Sequence, residues 1–470
     1  MEWLIIGLVL WGIGSFFGGQ KKKQNSSISN SSYIPKPQLN IRKTDLSDIK
    51  LSEEQQQLFD KLENSRENTF ITGKAGTGKS ILLQYFKQNS KKKLVVVAPT
   101  GVAALNVGGQ TIHSLFRIPP AFIAKNSLVN PDYKTAMLLR NIDAVVIDEI
   151  SMVRADLMDA IDHRLRQARS NNLPFGGIQV IMFGDLYQLP PVISDPELHK
   201  YFADNHGGYY FFNAHVWNNS FPKIYELKHI FRQRDEIFKE ILNSIRTGDL
   251  QEKVLLDLNS RANVLIPADG VIMLATTNNS VNETNHLRLA KLEGKEYEYR
   301  AIISGNLEQS SLPTEEILHL KKGAQVMFLK NDKSKRWLNG TLGHIHSLSE
   351  NEIKVSIDGI VFSVLQETWK KIKYYYDREK HSIEEEVVSS FTQFPLRLAW
   401  AITIHKSQGQ TYGAVAVDMG SGAFAHGQTY VALSRCKSLE GLYLKREIAR
   451  EDIIVDSTVI NFMRNINIEL

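Results

Sequence analysis

Eight consecutive residues, Gly73-Lys74-Ala75-Gly76-Thr77-Gly78-Lys79-Ser80, have the types and spacing to hold a chain of phosphates. Glycines let successive backbone N–H groups converge on one point, and a helix that starts as the run ends adds its positive end there. In such a loop Lys79 pairs with the β- and γ-phosphates and Ser80 ligates Mg²⁺, while Gly73, Ala75, Gly76, Thr77 and Gly78 line the cradle. An ordinary flexible turn is the bland alternative.

Carboxylates suited to the next chemical step follow downstream. Asp148-Glu149 ends the apolar run Val145-Val146-Ile147. Asp148 can hold the magnesium through water, and Glu149 can orient or deprotonate an attacking water. The competing reading is an acidic pair on the surface. Gln188, just beyond Gly184-Asp185, lies where a side chain can sense a γ-phosphate; Pro190-Pro191 can equally do no more than end the segment. The 13 histidines fall in no metal-binding pattern, and one cysteine, Cys436, excludes an internal disulfide and the thiolate zinc clusters. The expected cofactors are therefore ATP and Mg²⁺.

These residues need elements to aim them. Asn68-Thr69-Phe70-Ile71-Thr72 reads as a strand feeding the loop, and Ile81-Leu82-Leu83 as the start of the helix behind it. Leu94–Ala98, ending in Pro99-Thr100, and Gly177–Phe183 are further buried strand candidates. Apolar strands alternating with helical segments predict a parallel α/β layer with ligands at the strand carboxyl ends. Ser52 followed by Gln55 is a capping-box pattern. A glutamine amide just before such a loop can also read adenine, so Gln55 keeps two readings. His113, after a Gly108-Gly109 turn, suits contact with a nucleic-acid strand or simple packing.

Val271–Thr276 reads as the first strand of a second α/β half. Short alternating strands and glycine turns then run from Gly323 to Val364 and predict a small inserted β-barrel. Trp369-Lys370-Lys371-Ile372-Lys373-Tyr374-Tyr375-Tyr376 mixes cations with aromatics, as a surface for phosphates and stacked bases would, or as an ordinary edge strand would.

At 470 residues the chain suits two or three domains, and its formal charge of +5 leans mildly toward a polyanionic partner. Trp3–Phe17 is largely apolar and Lys21-Lys22-Lys23 follows it, an asymmetry that predicts one short membrane anchor with the bulk of the chain in the cytoplasm. A cleaved segment, a partner-binding helix and a protein without an anchor in the cytoplasm are the alternatives. Residues 20–50, rich in Asn, Ser and Pro, read as a flexible linker.

Taken together, these blocks resemble the PIF-type DNA helicases, a RecD-related branch of superfamily 1 motors. The resemblance rests on the phosphate loop, Asp148-Glu149-Ile150-Ser151-Met152, Pro174–Gln179, Gly184–Val192 and Phe231-Arg232-Gln233, then Leu398–Thr411 and Tyr430-Val431-Ala432-Leu433-Ser434-Arg435. It implies an α/β fold of two tandem RecA-like motor domains with a small SH3-like β insertion in the second half. The expected boundaries are 1–19 anchor, 20–50 linker, 51–225 first motor domain, 226–446 second, 325–393 insertion within it, and 447–470 tail. By the same resemblance Gln55 reads adenine, Gln188 senses the γ-phosphate, Arg232 and Arg435 reach it from the second domain, and Gln408-Gly409 close the cleft. Pro99, Thr100, His113, Thr403, His405 and Lys406 resemble strand-contacting positions. The implied activity is ATP-driven translocation on single-stranded DNA with duplex unwinding, in the 5′ to 3′ direction, in replication, repair or recombination. The partners are single strands and single/double-strand junctions, with no sign of an obligate protein partner. An RNA helicase of the same superfamily and a membrane-tethered, nucleotide-controlled scaffold are the rival readings.

Overall fold

The computed structural model describes residues 50–469 except 124–130, 194, 310, 311, 333 and 335. The expected anchor and nearly all of the linker lie outside the described residues. Among those described, no helix is long and apolar enough to cross a membrane.

The first half is built on a seven-stranded sheet. Its order is Ile468–Glu469, Lys223–Leu227, Thr69–Gly73, Gln179–Phe183, Ala144–Ile147, Leu94–Ala98, Gln110–Thr111. Every pair is parallel. The central strands read as unbroken apolar runs because helices cover both faces. Phe70, Ile71, Val145, Ile147 and Ile181 are fully buried, each contributing on the order of 1.5–3 kcal/mol. The register Thr69↔Ile181 and Val97↔Ile147 sets the carboxyl ends of the inner strands side by side, so the loops after Gly73, Ala98, Ile147 and Phe183 leave one sheet edge together.

The strand Lys223–Leu227 runs across the expected boundary at 225/226. The C-terminal segment, expected as a tail, is part of the first half. Its helix Ser457–Asn465 stacks Phe462 on Phe212 with ring centroids 4.0 Å apart, and its strand Ile468–Glu469 pairs with Lys223–Leu227.

A second parallel sheet carries the order Ala401–Thr403, Ile272–Ala275, Val415–Asp418, Leu442–Leu444. Between its first and later strands the chain forms a five-stranded antiparallel sheet: Ile360–Val364, Ile353–Ile357, Leu342–Leu348, Gln325–Phe328, Leu396–Leu398. Its own core contains Val326, Phe328, Trp337, Ile345, Val355 and Leu396.

A long hairpin, Glu367–Asp377 with Ser382–Gln393, stands beside this sheet. It reaches the first half, where the Tyr374 N–H donates to Gln110 Oε1 at 3.0 Å. Across the hairpin Lys373 faces Glu386 and Tyr375 faces Glu384. Of the three lysines of the stretch, Lys373 is thus opposed by a carboxylate of the same hairpin, whereas Lys370 and Lys371 face Ser390 and Ser389.

Candidate active site

The phosphate loop is shaped by glycine. Gly76 and Gly78 have φ of +87° and +80°, and a Cβ at either would lie 2.5 Å from Arg232 Cβ or Gln55 Nε2 respectively. The helix Lys79–Asn89 begins at once, with Gly78 as its N-cap, so the helix N-terminus opens into the loop as an anion site requires. Lys79 Nζ donates to the carbonyls of Gly73 at 2.6 Å and Lys74 at 3.1 Å. Burial pulls its pKa below the ordinary lysine value. Ser80 is exposed at the helix start.

Gln55 realises the capping reading while also reaching the loop. Its Oε1 accepts from Ser52 N–H at 3.1 Å and its backbone N–H donates to Ser52 Oγ at 3.2 Å. Its Nε2 donates to the Thr77 and Gly78 carbonyls at 3.5 and 3.4 Å.

Asp148 and Glu149 leave the strand Ala144–Ile147 at the same edge, with Glu149 turned into the left-handed region at φ 50°. Burial first, and then the Glu149 charge, push the Asp148 carboxyl up to about 7. Burial likewise raises Glu149, against the pull of Lys79 and Arg435. Two adjacent buried carboxylates whose pKa values burial raises form a hard oxygen donor set of the kind that takes Mg²⁺. The residues fit that ion, with Ser80 and Asp148 as the candidates to hold it.

The second half closes the cleft. Gln408 Nε2 donates to Glu149 Oε2 at 3.2 Å and to Gln188 Oε1 at 3.5 Å. Gly409 follows in a turn at φ +79°. Arg232 Nη1 donates to Ser434 O at 3.0 Å. Arg435 is buried and donates to Val431 O at 2.9 Å, Gln410 O at 3.3 Å and Ser434 Oγ at 2.8 Å. Burial and then the Arg435 charge pull Arg232 down to about 9, and burial lowers Arg435 as well. At about 9, Arg232 remains cationic at neutral pH. Facing Lys79, the two guanidiniums form a site that a polyphosphate would relieve.

The candidate strand contacts are less uniform. Pro99 and Thr100 end the strand Leu94–Ala98, and Thr100 Oγ1 caps the helix Gly101–Val107 by accepting from Ala103 N–H at 3.2 Å. His113 Nδ1 lies 3.3 Å from Ile118 O, and burial lowers its pKa. Thr403 is buried and accepts from Lys406 N–H at 3.3 Å. His405 is half-buried with its pKa lowered by burial, and Lys406 is exposed. The Thr100 and Thr403 hydroxyls thus each accept from a backbone N–H of a local turn and keep their own O–H to donate.

Three residues at the centre of the cleft were not assigned roles from the sequence: Asp185, Arg246 and Tyr430. Asp185 accepts from Arg246 Nη2 at 3.1 Å and Gln188 Nε2 at 3.3 Å. Burial pushes its carboxyl up, but Arg246 and Lys79 outweigh that and leave its pKa below the ordinary value. Arg246 also lies over the Tyr187 ring, 4.1 Å from its centroid. A signal for Arg246 exists in the sequence: it continues the stripe Phe238, Leu242 at four-residue spacing on the helix Glu236–Thr247, so it sits on the core face and needs a partner.

Away from the cleft, Asp159, His206 and His215 bring ligand atoms within 4.8 Å of one another. The two imidazoles stack at 4.7 Å and 24°. His206 Nε2 lies 3.3 Å from Asp159 Oδ2, which pairs the two when the imidazole is protonated.

A glycine-rich loop against Arg435 from a second α/β layer and Arg232 from the segment leading into it defines a two-domain P-loop motor. The comparisons with known proteins are specific. The family described as "PIF1-like helicase" matches residues 50–255, and "DNA helicase Pif1, 2B domain" matches 304–348. The ATP-dependent DNA helicase Pif1 of Bdellovibrio bacteriovorus is 35% identical over 428 residues, 89% of this chain and 92% of that protein. The human ATP-dependent DNA helicase PIF1 is 34% identical over 88% of this chain, which spans 64% of the human protein. The crystal structure of Bacteroides sp Pif1 in complex with ADP-AlF4 has a TM-score of 0.83 at 38% identity, covering 89% of this chain and 97% of that one. Bacteroides Pif1 bound to ssDNA scores 0.65 at 39% identity, with the same coverage. The chain belongs to the PIF1-like helicase family.

These findings correct one expectation. The structural relatives are crystallised Pif1 helicases that match 88–89% of the chain. The single-pass location drawn from residues 1–19 is overturned. An apolar run of that length is compatible with spanning but does not require it.

Proposed function

We propose that the chain is an ATP-dependent DNA helicase that couples hydrolysis to movement on single-stranded DNA and to unwinding at single/double-strand junctions. The observation that carries the reading is the cleft itself: Lys79 and Glu149 from one half face Arg232, Gln408 and Arg435 from the other. Such a site completes its positive charge only when the halves close, so nucleotide state and domain closure are one equilibrium.

In this reading Lys79 and the loop backbone hold the phosphates, and Ser80 with Asp148 holds Mg²⁺, which supplies charge neutralisation on the phosphates. Glu149 accepts the proton of the attacking water. Gln188 senses the γ-phosphate, and Gln408 with Gly409 closes the cleft through its contacts to Glu149 and Gln188. Arg232 and Arg435 offset charge on the γ-phosphate. Gln55, fixed by its cap, borders the adenine side. Pro99, Thr100, His113, Thr403, His405 and Lys406, at the carboxyl edges of the two sheets, grip the strand, largely through its backbone and so with little sequence preference. The five-stranded antiparallel unit is the SH3-like insertion, which meets DNA as it approaches the motor.

DNA is favoured over RNA because the matched relatives are named DNA helicases. The test is unwinding of duplexes with 5′ or 3′ tails, in matched DNA and RNA, with Lys79→Ala as control. The proposal expects DNA-stimulated ATP turnover and 5′ to 3′ unwinding, the polarity coming from the family resemblance. RNA-selective unwinding would favour the rival motor. ATP turnover unchanged by DNA would favour a scaffold.

A further inference from the structure

Tyr430 is the one residue of the second half whose side chain bonds directly to the backbone of the phosphate loop among the hydrogen bonds described. Its hydroxyl accepts from Ala75 N–H at 2.9 Å and donates to Asp185 Oδ2 at 3.5 Å. The side chain is buried, and burial raises its phenol pKa, so the proton stays on oxygen and the group donates and accepts at once. Asp185 passes the contact on to Gln188, Gln188 to Gln408, and Gln408 to Glu149. This chain of polar contacts runs from the loop to the candidate base and crosses between the halves four times, out to Tyr430 and back, then out to Gln408 and back.

Tyr430 and Arg435 are also tied to the same helix. Tyr430 lies in the buried helix Gln428–Leu433, and Arg435 Nε returns to Val431 O of that helix at 2.9 Å. Seating Arg435 in the cleft therefore seats the Tyr430 hydroxyl on Ala75.

We propose that Tyr430 is a positioning residue for hydrolysis, whose hydroxyl couples closure of the second half to the placement of the phosphate loop and, through Asp185, of Gln188. The inference rests on the helicase reading above. Without the hydroxyl, Arg435 can still dock, but the Ala75 N–H loses its partner at a buried point and Asp185 loses one donor.

The test is Tyr430→Phe in the full chain, which keeps the ring and removes one oxygen. The first readout is hydrogen exchange at the Ala75 amide, expected to speed up in the variant without any need for turnover. The second is ATP hydrolysis on single-stranded DNA, with kcat expected to fall about tenfold while KM for ATP moves less than about twofold. Unchanged Ala75 exchange together with a parental kcat overturns the proposal, as does a fall in kcat matched by an equal rise in KM, which marks lost binding. If the parent chain itself shows no DNA-stimulated hydrolysis, the helicase reading fails. The exchange result then still decides whether Tyr430 holds the loop.

Discussion

Gln408 Nε2 lies 3.2 Å from Glu149 Oε2, an amide of the second half on the candidate base of the first. Glu149 sits in left-handed backbone at φ 50°, a conformation that side chains other than glycine adopt at a cost. A strained residue held by a contact across a cleft has its carboxylate aimed by closure as well as by its own strand. Glu149→Gln should keep nucleotide affinity near the parent value and lower hydrolysis by about 10²–10⁴. Equilibrium binding of a fluorescent nucleotide alongside steady-state ATPase separates the two; parental turnover would remove Glu149 from its role.

The Asp148 carboxyl, raised to about 7 by burial and then by Glu149, gives the nucleotide-free protein a pH signature. A folded-state pKa above the unfolded one means the folded chain binds the proton more tightly. That contribution is complete below the unfolded value of ~3.9 and is lost as pH rises through the folded value. Thermal melting without nucleotide should show Tm falling from about pH 5 to pH 8, with Asp148→Asn flattening the slope. Adding Mg²⁺ with a non-hydrolysable nucleotide should restore Tm at the upper end.

Arg232 meets no carboxylate in its described hydrogen bonds or ion pairs and has its pKa pulled to about 9, first by burial and then by Arg435. An anion at this point would gain from both guanidiniums. Arg232→Ala should lower kcat by on the order of 10³ with a smaller effect on nucleotide affinity. Single-turnover hydrolysis measures the first, and titration in the absence of turnover measures the second. Equal losses in both would make Arg232 a ground-state binding residue instead.

Gly76 packs against Arg232 so closely that an added Cβ would stand 2.5 Å from Arg232 Cβ, at a φ of +87°. Gly76→Ala should destabilise the nucleotide-free fold by about 1–3 kcal/mol. It should also weaken nucleotide binding, because the Gly76 carbonyl accepts from Phe231 N–H at 2.9 Å and the loop and the arginine segment must shift together. Denaturant midpoints and nucleotide titration check the two effects.

Local chemistry was legible in the sequence because it depends on residues that are near one another along the chain. The spacing of Gly73, Gly78, Lys79 and Ser80 dictates a turn and a helix start. An unbroken Val-Val-Ile run ending in Asp148-Glu149 dictates a buried parallel strand with carboxylates at its edge. The Ser52–Gln55 cap was legible for the same reason. Contacts between residues far apart were decided by tertiary structure alone. Nothing near Tyr430 says that its hydroxyl meets Ala75, nothing near Lys373 says that Glu386 opposes it, and nothing near Ile468 says that it extends the sheet begun at Thr69. Apolar periodicity records which face of an element is covered. It does not record what covers it, because burial is non-directional. The buried polar groups, Asp185, Arg246 and Tyr430, are where that missing information lies, since hydrogen bonds have direction and a buried polar group must find its partner. The eight residues from Gly73 to Ser80 carried the phosphate chemistry by themselves; closure against Arg232, Gln408, Tyr430 and Arg435 turned that loop into one wall of a cleft.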